Sequence, residues 1–432
     1  NHMSYNTLPA WQGGDRSFTH RDQWRGLVGG DLYDARPPRN DPVAARYNEV
    51  RLLMGGVTAV HKSERVRASY DHVRNLDRGP DAHGLGYEDR DFTECVFPLN
   101  SCDNAPNYSE GRDVPSRAYA AHVAEGTDER ARAEFDRFVS EGQLGPTTAV
   151  IHCVACKGPE LNILREADGY LVWSPRSNTN LYGVTTDVNA ALNLGIKVAM
   201  GSDWTPSGSL TMLDELSCAR EISDTYLAAS LSARSLVHMA THTAADAMGV
   251  SDFIGRLSPG KVADVVVLQG DRSNPYATVT SARPQDVRAV FIGGALYYGD
   301  VSIFDASIAR NAFCEELDVC GTAKTLCIRD AGEDATSLDK AQWPFFTLSE
   351  MQTYLQNVLA TNAMENPSNP DYAFQLAPLY SCDAPEPCRL GNQMFSGVPS
   401  ADDPDADGLT GQADNCGVIF NPDQTDLDGD GA

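Results

Sequence analysis

The chain has 432 residues, of which 42% are hydrophobic and 22% are charged. This balance allows a sizeable core and excludes a largely disordered protein. The formal net charge is −26 at pH 7, and most of the acidic excess lies after residue 300. Because no basic surface is available to displace the counterions of a nucleic acid, we expect no nucleic-acid partner. No run of about 18 apolar residues is present, so we expect no transmembrane segment.

Short apolar runs alternate with helical patterns over the first part of the chain. The apolar runs are Gly55–Val60, Ala118–His122, Thr148–His152, Tyr170–Ser174 and Lys197–Asp203. The helical patterns are Asp128–Glu141, Pro159–Ala167, Thr186–Leu194, Met212–Ile222, Ser232–Met239 and Thr243–Met248. Such alternation predicts a parallel sheet. Since several runs end in a polar residue, we expect a TIM-type (β/α)8 barrel with its site at the carboxyl ends of the strands.

The composition changes along the chain and predicts four segments. Residues 1–254 would form the barrel, and the β-rich residues 255–300 a small outer β-domain. Residues 301–399 contain several cysteines and a helix at Leu348–Asn362, but they carry no motif that indicates chemistry. Residues 400–432 are nearly all Asp, Gly, Asn and Pro, and cannot form a core alone.

The eleven cysteines are many for a cytosolic enzyme of this size. Several lie at short spacing, namely Cys95, Cys102, Cys314, Cys320, Cys327, Cys382 and Cys388. This pattern favours disulfides in an oxidising compartment, with buried free thiols as the alternative. We therefore expect a secreted, periplasmic or cell-surface protein.

Four polar residues at the predicted strand ends form a candidate metal constellation: His122, Glu125, His152 and Asp203. A divalent metal that activates water needs a few nitrogen or oxygen ligands, an open position and a nearby acid–base group. Imidazoles and carboxylates converging from several strands of one barrel supply all three.

The chain resembles the amidohydrolase superfamily, and in particular its deaminase and chlorohydrolase branch. The matching motifs, in the family's order, are His2-Met3-Ser4-Tyr5-Asn6, Gly55-Gly56-Val57-Thr58-Ala59-Val60, His122-Val123-Ala124-Glu125-Gly126, Ile151-His152-Cys153, Ser174-Pro175-Arg176-Ser177-Asn178, Gly201-Ser202-Asp203 and Gly260-Lys261-Val262-Ala263-Asp264-Val265. Each motif alone is weak, but the ordered set is specific and spans residues 1 to about 300.

The resemblance implies that His2, His122 and Asp203 bind the metal. Family members end their first strand in His-x-His, so the other histidine and the first barrel strand would lie before residue 1. The alternative is that Asn1-His2-Met3 comes from a cloning site. One ion is implied, because two-metal members use a bridging lysine and none occurs between Lys62 and Lys157; a bridging Glu94 is the alternative. Zinc suits this ligand set, as does iron(II).

The resemblance also implies roles for the other residues. Asp203 would accept a proton from the metal-bound water, His152 would orient the hydroxide and stabilise negative charge, and Glu125 would carry the proton to the leaving group. Substrate would contact Ser177 and Asn178. The aromatic walls would be Trp173 and Trp204, unless these only fill the barrel, and His61 could face the site as well.

The acidic tail contains alternating oxygen ligands around glycine turns, as calcium requires. We expect calcium at Asp403, Asp405, Asp407, Asp414, Asn421, Asp426, Asp428 and Asp430. The tail resembles the thrombospondin type 3 repeat, incomplete here, which implies a calcium-dependent surface partner; a disordered acidic linker is the alternative.

Together these patterns predict a hydrolase that cleaves a non-peptide C–N bond of a small molecule, by deamination or by opening a cyclic amide or amidine. Aryl-halide hydrolysis and peptidase-like amide cleavage are alternatives within the same class. A catalytically inactive, calcium-dependent surface-binding protein is the alternative from another class. The oligomeric state is left open. A second histidine pair, His238 and His242, lacks the glutamate of a metalloprotease motif and is not expected to bind metal.

Overall fold

The structure is a computed structural model that describes residues 7–8, 18–25, 41–61, 73–77, 84–87, 92–98, 105–203, 207–307, 313–328, 347–365, 375–385, 387–388 and 390. The predicted metal ligand His2, the predicted wall residue Trp204, the side chain of Glu94 and all of the predicted calcium ligands lie outside these residues.

Parallel strands form the centre of the molecule. They are β2 (Ala59–Val60), β3 (Arg74–Asn75), β4 (Phe92–Val96), β5 (Ala118–Val123), β6 (Thr148–His152), β7 (Tyr170–Trp173) and β8 (Lys197–Met200). β2 pairs with β3, and the other five lie side by side in chain order from β4 to β8. A separate antiparallel pair joins β1 (Thr7–Leu8) to β14 (Gln375–Leu376).

Helices connect and cover these strands. They are α1 (Pro42–Met54), α2 (Glu129–Ser140), α3 (Gly158–Glu166), α4 (Pro175–Tyr182), α5 (Val188–Asn193), α6 (Met212–Tyr226), α7 (Ala233–Ala240), α8 (His242–Ala247), α9 (Pro275–Ser281), α10 (Val301–Asp305) and α11 (Leu348–Glu365), with a 3₁₀ turn at Pro284–Asp286. Among the described residues, no helix has the length and apolar character needed to cross a bilayer.

The packing of β5 against α2 shows how the local sequence builds this layer. The Ala-rich strand β5 is buried on both faces, as parallel strands between helices are. Asp128 caps the start of α2 by accepting from the backbone N–H of Ala131, and the helix turns Phe135 and Phe138 into the main core. The carboxyl ends of β5 and β6 lie side by side, because Val123 is in register with His152.

Helix α4 was not among the sequence predictions, although its signals are present. Ser174 precedes Pro175 at the first helical position, and Gly183 follows the helix with φ +68°. Proline at the start and a left-handed glycine just past the end are a common pair of helix boundaries. The helix is short and nearly all polar, so hydrophobic periodicity could not reveal it. This element carries both Ser177 and Asn178.

An antiparallel outer sheet follows the barrel segment. Its strands are β9 (Val265–Leu268), β10 (Val287–Ile292), β11 (Ala295–Asp300), β12 (Cys314–Val319) and β13 (Thr322–Cys327), in the order β12-β13-β11-β10-β9. The predicted boundary at residue 300 therefore falls inside this sheet, because β13 pairs with β11.

Disulfides tie the C-terminal region to helix α6 and to the outer sheet. The structure contains the pairs Cys153–Cys156, Cys218–Cys388, Cys314–Cys327 and Cys320–Cys382. The segment around Ala377 also covers α1, since its carbonyl accepts hydrogen bonds from Tyr47 and Arg51. The cysteine-containing region thus packs as part of the same body as the barrel.

A cavity of about 580 Å³ runs along the barrel wall. It is lined by Ala59 and Val60 of β2, by Ala199 and Met200 of β8, and by apolar residues of α7 and α8. Among the described strands, β8 pairs only with β7, and β2 only with β3.

Candidate metal centre

Three side chains converge at the carboxyl ends of the parallel strands. His122 lies on β5, His152 ends β6, and Asp203 follows β8 by three residues. Their potential ligand atoms all lie within 4.8 Å of one another, and this is the group of metal-binding donors found among the described residues. The sequence grouped the same three residues because each follows or ends a strand.

The backbone at these strand ends is unusual. Ala124, His152, Cys153 and Asp203 have φ between +50° and +73°, although none is glycine. Non-glycine residues in this left-handed region are uncommon, and they cluster at functional sites where the surrounding structure enforces the strained conformation. Two of the three converging residues, His152 and Asp203, have this strained backbone conformation.

Hydrogen bonds determine which nitrogen of His152 faces the site. Thr186 donates its hydroxyl proton to the His152 carbonyl at 2.6 Å, so it accepts from the amide nitrogen of Asn178 at 3.1 Å. The amide oxygen of Asn178 then points at His152 Nδ1, 3.0 Å away. Nδ1 therefore carries the proton of the neutral ring, and Nε2 presents a lone pair to the site.

Asp203 is oriented by the start of α4. The hydroxyl of Ser177 donates to Oδ2 of Asp203 at 2.5 Å and lies 2.8 Å from the hydroxyl of Ser207. The same Oδ2 lies 3.8 Å from His152 Nε2. The hydrogen bond from Ser177 thus holds Oδ2 of Asp203 at a position near the imidazole of His152.

Glu125 lies beside this group and is buried, with 4% of its surface exposed. Its Oε1 lies 3.8 Å from His152 Nε2 and accepts a hydrogen bond from Tyr182 at 2.8 Å. Its Oε2 lies 3.8 Å from the fully buried guanidinium of Arg21. Arg21 also pairs with Glu134 at 2.6 Å, and burial raises the pKa of Glu134 while this cation opposes the shift.

The donor set fits one divalent transition metal. Two imidazoles and a carboxylate are groups that zinc and iron(II) accept as ligands. The hydrogen bond that Asn178 accepts from His152 and the one that Ser177 donates to Asp203 are outer contacts that orient such groups. His61 lines the same cavity as His122 and Asp203. The cavity therefore reaches two of the three converging side chains.

Three of the predicted substrate contacts, Trp173, Ser177 and Asn178, are buried and contact other protein groups. Ser177 and Asn178 are fully buried and bind Asp203 and His152, and they do not line the cavity. Trp173 has no exposed surface, lies in the main core and donates its indole N–H to Thr185 at 2.6 Å. Large aromatic surface gains more free energy in the core than at the barrel mouth, which explains this position.

Several residues around the site were not singled out from the sequence. Tyr182, Arg21 and Glu215 are buried, and Trp24 is partly buried. None belongs to a motif, and each reaches the site through a helix or segment distant in sequence. The excluded histidine pair, His238 and His242, lies on α7 and α8 with its rings 4.3 Å apart and apart from the metal group.

Comparison with known proteins supports this assignment. Residues 114–296 match the amidohydrolase family. A 5'-deoxyadenosine deaminase from Methanothermobacter thermautotrophicus is 33% identical over 169 residues, which are 37% of this chain and 39% of the relative. A 5-methylthioadenosine/S-adenosylhomocysteine deaminase from Syntrophobacter fumaroxidans has the same identity and coverage. The chain thus matches about two fifths of the length of these curated relatives.

Solved structures extend the likeness in fold beyond that segment. A mutant atrazine chlorohydrolase from Arthrobacter aurescens TC1, complexed with zinc and atraton, has a TM-score of 0.56 at 14% identity. The alignment covers 83% of this chain and 86% of that structure. A triazine hydrolase from Arthobacter aurescens has a TM-score of 0.51 at 16% identity, over 69% and 80% of the two chains. The fold is of the TIM-barrel α/β type, and the match to the amidohydrolase family covers residues 114–296.

Proposed function

We propose that this protein is a metal-dependent hydrolase that deaminates a small heterocyclic amine. The observation that carries the proposal is the convergence of His122, His152 and Asp203 within 4.8 Å, with the carboxylate of Glu125 3.8 Å from His152. A metal-ligand group beside a buried carboxylate is the minimum that hydrolysis at an unactivated C–N bond requires. The names of the relatives support deamination, since both are deaminases.

The proposed substrates are small molecules with an exocyclic amine. The relatives are named for 5'-deoxyadenosine, 5-methylthioadenosine and S-adenosylhomocysteine, so adenosine-type compounds are the first to screen. Hydrolysis of a substituted triazine is the second candidate, because the fold is shared with a chlorohydrolase. Opening of a cyclic amide would use the same residues, and cyclic amides are the third class of compound to screen.

A bound divalent metal would lower the pKa of its water ligand towards neutrality, and His122 and Asp203 would hold it together with His2. Asp203 accepts the proton of the attacking water. His152 accepts a hydrogen bond at the lone pair of Nε2 and so orients that water. A neutral His152 with its proton on Nδ1 cannot donate a hydrogen bond from Nε2. Stabilising the negative charge that develops on the substrate would require a protonated ring, so this role is not part of the proposal.

Glu125 moves the proton in the second half of the reaction. The water oxygen bonds to the ring carbon as its first proton passes to Asp203. The Glu125 carboxylate takes the second proton from the hydroxyl on that carbon and delivers it to the amine, so the carbon–nitrogen bond breaks, ammonia leaves and the oxygen remains as a carbonyl. The proton on Asp203 then passes to the adjacent ring nitrogen. Glu125 is placed for this transfer because it is buried and its Oε1 faces His152. General acid–base groups of this kind contribute about 100- to 10,000-fold in rate.

The location and the calcium tail are also proposals. We propose an oxidising compartment, secreted, periplasmic or on the cell surface, on the support of the disulfides among the described residues. Calcium binding at residues 403–430 and a surface partner for that tail rest on their sequence pattern alone.

The experiment compares metal content and turnover in three variants. Glu125→Gln should keep its transition metal and lose at least about 100-fold in turnover of adenosine-type amines. Glu129→Gln, an exposed glutamate four residues away, should match the unsubstituted protein. Asp203→Ala should lose the metal, measured by mass spectrometry. Turnover unchanged in Glu125→Gln would remove this residue from the mechanism. Calcium alone, with no transition metal in any sample, would favour the surface-binding alternative.

A further inference from the structure

The phenol of Tyr182 occupies a position between two partners near the metal centre. Tyr182 is 3% exposed and ends α4. Its oxygen lies 2.9 Å from the indole nitrogen of Trp24 and 2.8 Å from Oε1 of Glu125. The two hydrogen bonds connect three segments of the chain, since Trp24 lies in the short helical segment 21–25 and Glu125 follows β5.

Chemistry sets the direction of both hydrogen bonds. An indole N–H can only donate, so the Tyr182 oxygen accepts from Trp24. The single phenol proton is then directed to Glu125. Burial raises the pKa of Tyr182 well above its usual value, and the charge of Glu125 adds to this shift. The proton therefore stays on the phenol, and Tyr182 orients the carboxylate without acting as an acid.

The segment that carries Trp24 is packed tightly against Glu125. Thr19 accepts hydrogen bonds from the backbone N–H groups of Thr127 and Asp128, and Gly126 forms a bridge with His20. A Cβ on Gly126 would lie 2.5 Å from the Thr19 carbonyl oxygen, so only glycine allows this approach. The segment that carries Trp24, which holds Tyr182 in place, is thus packed against the backbone next to Glu125.

A second group competes for the same carboxylate. The guanidinium of Arg21 is fully buried and lies 3.8 Å from Oε2 of Glu125, too far for a hydrogen bond. Without a donor on Oε1, the carboxylate could turn towards this cation and away from His152. The hydrogen bond from Tyr182 is therefore the contact that keeps Oε1 near the reacting atoms.

We infer that Tyr182, held by Trp24, is a positioning residue that keeps the Glu125 carboxylate directed at the reaction centre. The inference rests on the proposed function, in which Glu125 carries the proton. Displacing a catalytic group by about 1 Å can cost about 100-fold in rate. Tyr182→Phe, which keeps the ring and removes only the donor, should lower kcat by about 10- to 100-fold and leave KM unchanged.

The test is a double-mutant cycle with a matched tyrosine control. The variants are Tyr182→Phe, Glu125→Gln, the two combined, Trp24→Phe and Tyr108→Phe. Tyr108→Phe is the control because it also removes a phenol hydrogen bond, the one between Tyr108 and Thr147. Thr147 precedes β6 and so lies at the opposite end of the barrel. For each variant we would measure kcat, KM, metal content and the thermal unfolding midpoint of the metal-free protein.

We expect Tyr182→Phe to fold and retain metal, to lower kcat, and to have no further effect on kcat when Glu125→Gln is already present. Trp24→Phe should lower kcat less, because it removes the anchor but keeps the phenol. Tyr108→Phe should leave kcat unchanged.

An unchanged kcat in Tyr182→Phe, or an equal loss in both Glu125 backgrounds, would overturn the inference while leaving the proposed function intact. Full turnover in Glu125→Gln would instead overturn the proposed function. If Tyr182→Phe does not fold, Trp24→Phe decides, and an unchanged kcat in that variant would overturn the inference.

Discussion

Nδ1 of His152 donates a hydrogen bond to the amide oxygen of Asn178, 3.0 Å away, and both residues are buried. The orientation of the amide follows from Thr186, which accepts from the Asn178 nitrogen. A ring held in this way keeps its Nε2 lone pair available without any change of tautomer. The contact therefore fixes the tautomer of His152 at the metal centre before substrate binds.

Asn178→Ala should lower kcat about 100-fold and leave the metal bound, because Nδ1 of His152 loses its partner and the Nε2 lone pair is no longer held towards the attacking water. The kcat would be measured at saturating adenosine-type amine, and the metal content by mass spectrometry. Asn162→Ala, which removes an amide on the surface of α3, is the control and should match the unsubstituted protein in kcat. An equal kcat for all three proteins would show that Asn178 does not act on the site.

Glu215 should make the stability of the protein fall as pH rises through weakly acidic values. Burial raises the pKa of this carboxyl from 4.5 to about 7, although hydrogen bonds from Ser209 and from the backbone of Arg176 oppose the shift. Between these two pKa values the folded protein binds the proton more tightly than the unfolded chain. Stability contributed by the neutral carboxyl is therefore present below about pH 5 and is lost as the pH passes 7.

Glu215→Gln should remove this dependence. The free energy of unfolding of the unsubstituted protein, relative to that of the variant, should decrease by about 2–3 kcal/mol between pH 5 and pH 8. Urea unfolding at several pH values measures it, with the exposed Glu129→Gln as the control. Parallel pH profiles for the two variants would contradict the prediction.

The disulfide between Cys218 and Cys388 should contribute more stability than the one between Cys314 and Cys327. The first closes a separation of 170 residues between α6 and the C-terminal segment, and the second closes 13 residues between neighbouring strands. Loop closure restricts the unfolded chain more when the loop is longer, and the difference amounts to about 2 kcal/mol.

The two paired cysteine-to-alanine variants would be compared by thermal unfolding. Removing the Cys218–Cys388 pair should lower the unfolding midpoint by several degrees more than removing the Cys314–Cys327 pair. The reverse order would indicate that effects in the folded state, and not loop closure, dominate the contribution of these bonds.

Much of the barrel could be predicted because its signals are local. The strand at Thr148–His152 has the predicted bounds, and the helix predicted at Asp128–Glu141 is observed at Glu129–Ser140. Strand and helix periodicities arise from neighbouring residues, so one sequence shows them. Periodicity does not reveal helix α4, because all of its residues except Asn180 are buried and most are polar, so it has no single apolar face.

The sequence by itself determined the order of the strands and the identity of the polar residues at their ends, because strand alternation and ligand chemistry are properties of short segments. Only the tertiary structure decided what those residues touch. Asn178 and His152 are 26 residues apart, and Trp24 and Tyr182 are 158 apart. Contacts over such distances depend on how helices and loops pack, and the same buried polar side chain can bind a substrate or orient a metal ligand with no difference in its local sequence.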